Sequence, residues 1–307
     1  MQSFYTLSRE QQNTAIALGY FDGVHKGHRK VLCAAAQEHK NGLLPVCLTF
    51  AESPKSVITG VPSQELMTPA DKQNALNKIG FSHVYFADFR AMMHLSAKDF
   101  FEKTLLDTLN AKKLFCGFNY RFGRNGEGDT ALLQKLCDNR NIALKVAPLE
   151  TDDGEIICST LIKSLIIQGN IRRANALLQT RFGFAGEITH GKKLGRELGT
   201  PTINQKPANG LVIPKFGVYA SAVTLENGDT YCGVTNVGIK PTVGGTAPLW
   251  ETWMPRYSGG ELYGQTADVR LLDFIRPETK FESIEALGNE IKRNGQTALA
   301  IFAREFI

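Results

Sequence analysis

No two cysteines in this 307-residue sequence lie close enough to form a metal knuckle: Cys33, Cys47, Cys116, Cys137, Cys158 and Cys232 are scattered, with no CxxC among them. Structural zinc sites bring their ligands in close pairs, and disulfide scaffolds are short and secreted, so reduced and mostly buried thiols are expected. A long apolar run is also missing. The longest nearly apolar stretch, Gly42–Phe50, is about half of the ~20 residues that span a bilayer, so no membrane partner is expected. The opening MQSFYTLSREQQ lacks a basic start followed by an apolar stretch, so no secretion signal is read and a cytoplasmic location is expected. Fixed-period repeats, low-complexity tracts and long runs of one charge are absent as well. The net charge of +5 is modest and dispersed, which suits anionic small molecules and gives no sign of a nucleic-acid partner.

What is present is an ordinary globular composition, 43% hydrophobic and 21% charged, in a chain long enough for two domains or one large one. Its texture changes along the way. Strand-like runs at 14–18, 43–50, 81–86, 112–116 and 143–148 alternate with helical patterns at 28–38, 69–79, 96–109 and 130–139. That alternation argues for a parallel α/β sheet. Helices at 159–168 and 170–178 follow. From about Arg181, strand-like runs at 184–189, 217–224, 230–237 and 266–274 succeed one another with Gly-rich turns and little helix, as in a small antiparallel barrel. The last segment, 283–306, reads as a helix broken near Asn294-Gly295. The expected division is into domains 1–182 and 183–307.

The run Gly19-Tyr-Phe-Asp-Gly-Val-His-Lys-Gly-His28 sits between the first strand and the first helix, where an α/β sheet exposes helix amides to phosphate. His25 and His28 can face one triphosphate, and Gly27 allows close backbone approach. A turn with two exposed histidines is the bland alternative. The whole run closely resembles the signature of the HxGH nucleotidyltransferase superfamily, in the form used by prokaryotic bifunctional riboflavin kinase/FAD synthetases. The resemblance implies that His25 and His28 are catalytic. They would bind ATP phosphates, with Gly19, Phe21, Asp22, Gly23 and Gly27 in the same loop, while the phosphate of FMN attacks the α-phosphorus of ATP and pyrophosphate leaves. Gly117-Phe-Asn-Tyr-Arg-Phe-Gly123 and the following Arg124 to Asp129 resemble the family's flavin- and nucleotide-contacting loop, implying flavin contacts from Asn119, Phe122, Asn125 and Asp129. An ordinary Gly-rich loop with inward-packed aromatics is its alternative. Cys158-Ser159-Thr160-Leu-Ile-Lys163 resembles the family's Ser-Ser-Thr-x-x-Arg, implying phosphate contacts from Ser159, Thr160 and Lys163; simple N-capping also accounts for the hydroxyls. Two departures stand out. After Thr49-Phe50 the family continues Asp-Pro-His-Pro and this chain reads Ala51-Glu52-Ser53-Pro54, and Lys163 replaces an arginine, losing bidentate geometry.

The run from Gly186 to Asn204, GEITHGKKLGRELGTPTIN, closely resembles the riboflavin kinase signature. Its Gly-rich part can enclose a polyphosphate, through Gly191, Lys192, Gly195 and Arg196, and Thr202 and Asn204 supply hard oxygen ligands for Mg²⁺. The downstream segments Gly217-Val-Tyr219 and 233–242 continue the resemblance, and it places Glu251 as the catalytic base for the ribityl 5′-hydroxyl and Arg276 at the flavin. Asn294 stands where the family usually has an Asp.

The implied fold is an α/β nucleotidyltransferase domain (Rossmann-like, HxGH) followed by a mainly antiparallel β-barrel riboflavin kinase domain. The implied function is two ATP-dependent steps, riboflavin to FMN and FMN to FAD, with Mg²⁺ accompanying ATP and the flavins as substrate and product. Two alternatives stay open at this point: a monofunctional riboflavin kinase with a weakened or inactive adenylyltransferase domain, and a flavin-binding protein without catalysis.

Overall fold

The computed structural model describes residues 2–190, 199–242 and 245–306. By its packing the chain separates into two compact units, Met1–Gln64 with Pro69–Ser159, and Glu65–Thr68 with Thr160–Ile307. No helix among the described residues is long and apolar enough to cross a membrane.

In the first unit, β1 (Gln2–Phe4), β2 (Thr14–Leu18), β3 (Leu44–Phe50), β4 (His83–Ala87), β5 (Ala111–Gly117) and β6 (Ala143–Ala147) form one sheet. The order is β1-β4-β3-β2-β5-β6 and every pairing is parallel. Every residue of β2 is buried, as expected where a parallel sheet is covered on both faces. Around it run α1 (Lys26–Ala36), α2 (Pro54–Thr59), α3 (Pro69–Ile79), α4 (Phe89–Met92), α5 (Ala97–Asp99) and α6 (Thr130–Asp138), then a small hairpin of β7 (Thr151–Asp152) and β8 (Glu155–Ile156). The helix expected at 96–109 starts as α5 and continues as a π-helical stretch, Phe100–Thr108. Its buried Phe100, Phe101, Thr104 and Leu105 keep one apolar face, so periodicity could not distinguish the two windings. Ile16, Leu18, Val46, Leu48, Tyr85 and Leu114 fill the core beside that stretch. The chain builds β3 and β4 on one side of β2, then returns to add β5 and β6 on the other. Strand order therefore reverses between β2 and β5, and such a switch point opens a ligand crevice at the strands' carboxyl ends.

The second unit begins with α7 (Ser159–Gln168) and α8 (Ile171–Leu178). Arg172 pairs with Asp273 at 2.6 Å and the Asn175 amide donates to the Leu271 carbonyl at 2.8 Å, tying α8 to the sheet that follows. That sheet consists of β9 (Gly183–Glu187), β10 (Thr202–Gln205), β11 (Gly217–Leu225), β12 (Thr230–Thr242), β13 (Gly245–Trp253) and β14 (Thr266–Arg276), antiparallel in the order β10-β13-β12-β11-β14-β9. It curls until its ends meet, where the Thr189 N–H donates to the Asn204 carbonyl at 2.8 Å. Trp250 is fully buried inside, edge-on to Phe184 at 4.9 Å.

Helix α9 (Ile284–Phe306) covers one face of this sheet through Ala298, Leu299 and Phe302, packed with Val218, Ala220 and Val234. It runs without the break expected at Asn294-Gly295. The reason is tertiary: the Trp253 ring lies where a Gly295 Cβ would stand, 2.7 Å from its Cζ3, so glycine serves close packing and the helix continues through it.

Candidate active sites

In the first unit, Gly19 ends β2 and the turn after it is strained. Phe21, Gly23 and Val24 have φ of 54°, 83° and 45°, and a β-branched residue there is a genuine outlier. A Cβ on Gly19 would collide with the Phe21 ring at 2.8 Å. Several bonds hold the turn. Thr49 Oγ1 and Lys72 Nζ both donate to the Tyr20 carbonyl at 2.9 Å, and the Ser159 hydroxyl donates to the Asp22 carbonyl at 3.0 Å. The turn delivers His25 as the N-cap of α1, its Nδ1 accepting from the His28 N–H at 3.4 Å. The two imidazoles stack 3.6 Å apart, and Phe21 meets His28 edge-on at 5.4 Å.

Burial pushes the His25 pKa down to about 4, against an opposing pull from Asp22. Burial, then His25, then Lys72 hold His28 well below the ordinary histidine range. Both rings are therefore neutral at pH 7. With its Nδ1 engaged as an acceptor, His25 carries its proton on Nε2 and can donate from there. Asp22 and Gly23 are buried in the turn, and Gly27 opens the helix beside the His25 ring.

Beyond β5, on the other side of the switch point, Asn119 and Asn125 are exposed. Phe122 packs inward against Tyr120 and Phe100, each at 5.8 Å, and Asp129 caps α6 by accepting from the Leu132 N–H at 2.9 Å. That bond is the main cause holding the Asp129 carboxyl below its usual range. Along α7, Thr160 is exposed, and Lys163 pairs with Glu65 at 3.9 Å within the second unit.

In the second unit the chemistry gathers in one cavity of about 970 Å³, ample for a tricyclic ligand with a polyol tail. Strand register assembles its polar wall. Asn204 of β10 lies opposite Glu251 of β13, which lies opposite Asn236 of β12, so the three side chains share one face. Thr202, two residues before Asn204, shares that face. Asn204 is 4% exposed and its Oδ1 is buried with no hydrogen-bond partner among the described residues. An orphaned amide oxygen beside a hydroxyl is a donor set that fits Mg²⁺. Arg276 also lines the cavity, paired with Glu290 at 3.3 Å and lying over the Phe281 ring. Gly191, Lys192, Gly195 and Arg196 lie outside the described residues.

Several groups at these sites were not singled out from sequence. Lys72 reads as a solvated helix lysine yet is buried. Phe118, 45% exposed just after β5, is a free aromatic face at the switch point, legible only as part of a Gly-rich run. Asn294, noted from sequence as standing where an Asp is usual, lines the cavity together with Trp253 and Tyr257.

A family model described as FAD synthetase matches residues 7–161, and one described as Riboflavin kinase matches residues 178–302. A bifunctional riboflavin kinase/FMN adenylyltransferase of Listeria monocytogenes is 32% identical over 95% of this chain and 93% of its own length. The protein of that description from Haemophilus influenzae is 33% identical, over 98% of both chains. A solved structure titled a macrolide-efflux protein from Streptococcus pneumoniae superimposes with a TM-score of 0.86 at 29% identity, covering 97% of this chain and 98% of that one.

Proposed function

The chain belongs to the bifunctional riboflavin kinase/FMN adenylyltransferase family, phosphorylating riboflavin to FMN and adenylylating FMN to FAD, and from that premise we propose which residues perform each step. The kinase reaction belongs to the cavity of the second unit. The carrying observation is the register that sets Glu251 beside Asn204 on one wall. The Glu251 carboxylate accepts the proton of the ribityl 5′-hydroxyl as that oxygen attacks the γ-phosphorus of ATP and ADP leaves. Thr202 Oγ1 and Asn204 Oδ1 would hold the Mg²⁺ that the family uses with ATP, and it supplies charge neutralisation at the phosphates. Arg276 and the aromatic wall orient the flavin.

The adenylyl-transfer reaction belongs to the turn at the end of β2. Neutral His25, donating from Nε2, and His28 stabilise the charge that builds on the α-phosphate as an FMN phosphate oxygen attacks and pyrophosphate leaves. The amino terminus of α1 adds free amides and a positive dipole end to the same place. The Ser159 hydroxyl holds the turn through Asp22, while Asn119, Asn125 and the exposed Phe118 face the flavin or the base. Both histidines are present and placed, and the relatives are bifunctional over nearly their whole lengths, which supports two activities over a kinase alone. A cytoplasmic location fits the free cysteines among the described residues.

A product assay resolving FMN from FAD, with riboflavin and MgATP, tests the assignment. His28→Ala should abolish FAD while FMN accumulates, and Glu251→Gln should abolish FMN while supplied FMN is still converted to FAD. Loss of FMN formation in His28→Ala, or failure of Glu251→Gln to convert supplied FMN to FAD, would refute two separate sites.

A further inference from the structure

Lys72, on α3, is 5% exposed, an unusual burial for lysine. Its ammonium donates to the Tyr20 carbonyl and lies 3.9 Å over the Tyr20 ring, at the entrance of the turn that carries both histidines. A charge withdrawn from water is costly, so a lysine is buried where its ammonium is engaged. The next residues show what is being held. Phe21, Gly23 and Val24 occupy left-handed backbone, and such strain persists only where surrounding structure over-determines it.

We propose that Lys72 is a positioning residue of the adenylyl-transfer site: it clamps the strained turn through the Tyr20 carbonyl and sets a fixed positive charge beside the stacked pair of imidazoles. The proposal rests on the reading of the first unit as the adenylyl-transfer site. Thr49 shares the clamp on the same carbonyl but brings no charge, so the two roles of Lys72 are separable. The charge has a direction of its own. The groups acting on His28 are His25, which caps the same helix, and Lys72 from α3; Asp22 acts on His25 in the opposite sense. Lys72 adds to the forces keeping His28 neutral, and a neutral ring keeps one nitrogen able to accept a proton or hydrogen bond, which an imidazolium lacks.

Four variants of the full chain test this: Lys72→Met, which loses donor and charge; Lys72→Gln, which keeps a donor; Lys72→Arg, which keeps the charge; and Thr49→Val, which weakens the clamp alone. The readouts are kcat and KM for FAD formation from FMN and MgATP, and the acid limb of kcat/KM, which reports the free enzyme. Lys72→Met should lower kcat by up to about 100-fold, as displacements of about 1 Å do, with KM for FMN little changed. Without the neighbouring charge the His28 pKa rises, so the acid limb should move to higher pH in Lys72→Met and Lys72→Gln. It should stay in place in Lys72→Arg and Thr49→Val. If Lys72→Met fails to fold, Lys72→Gln carries the same prediction with the carbonyl still held. An unmoved acid limb in Lys72→Gln, or wild-type kcat and profile in Lys72→Met, would overturn the proposal. The underlying reading fails separately, if the wild-type chain forms no FAD.

Discussion

His25 caps a helix and at the same time keeps a ring donor for the reaction proposed for it. Its Nδ1 caps α1, which fixes the tautomer and turns Nε2 outward as a donor. Its burial makes the folded protein reluctant to protonate it, and this has a thermodynamic consequence. The unfolded-state pKa of 6.5 lies above the folded value of about 4. Between those values the unfolded chain binds a proton that the folded one does not, so stability is full above pH 6.5 and falls as pH drops toward 4. His25→Asn keeps a capping side chain without the titration. It should weaken this pH dependence, leaving the share due to buried His28, and abolish FAD formation while sparing FMN formation. Both tryptophans, Trp250 and Trp253, lie in the second unit. Urea unfolding followed by far-UV circular dichroism should therefore show the acid-labile transition, and tryptophan fluorescence should not. At this scale the sequence disclosed the histidines and little of their surroundings. Lys72 stayed hidden because a lysine in a polar helix pattern reads as solvated, and only the fold brings α3 over the Tyr20 carbonyl.

At the scale of elements, local pattern carried the first unit well, because strands buried on both faces and amphipathic helices write strong periods into sequence. It carried the second less far. Strand β13, which presents Glu251, has Gly245 and Pro248 in its first half and so reads as turn; Pro248 is accommodated opposite Ile239. The pairing of Asn204 with Glu251 joins strands distant in sequence, so spacing alone does not reveal it; the family resemblance supplied that residue. Helix α9 shows the opposite failure, where a local rule predicted a break that packing removed. Gly295→Ala tests the packing. Alanine favours a helix over glycine by about 1 kcal/mol, yet its Cβ would press on Trp253, which lines the flavin-sized cavity. We expect riboflavin to bind about tenfold more weakly, a cost of about 1.4 kcal/mol, with KM for ATP unchanged. Titration by quenching of flavin fluorescence measures this, and an unchanged affinity would show that Trp253 does not touch the flavin.

At the scale of the whole molecule, each unit has its own sheet, core and site. The polar lining of the cavity proposed for the kinase step comes from residues between Thr200 and Asn294, and the histidine turn lies within Gly19–His28. FMN, once its 5′-phosphate is formed, is a dianion that water solvates well, whereas a cavity with an aromatic wall retains mainly the isoalloxazine. Complementation between chains follows from this. A mixture of His28→Ala, which makes FMN, with Glu251→Gln, which adenylylates it, should convert riboflavin to FAD although neither variant does so alone. Synthesis should begin after a lag while FMN accumulates, and its later rate should scale with the amount of the Glu251→Gln chain. Riboflavin kept out of FAD in the mixture, with each single activity intact, would mean that FMN passes between sites of one chain without entering solution. Exchange of FMN through solution also predicts a comparable lag for the wild-type chain at equal site concentrations.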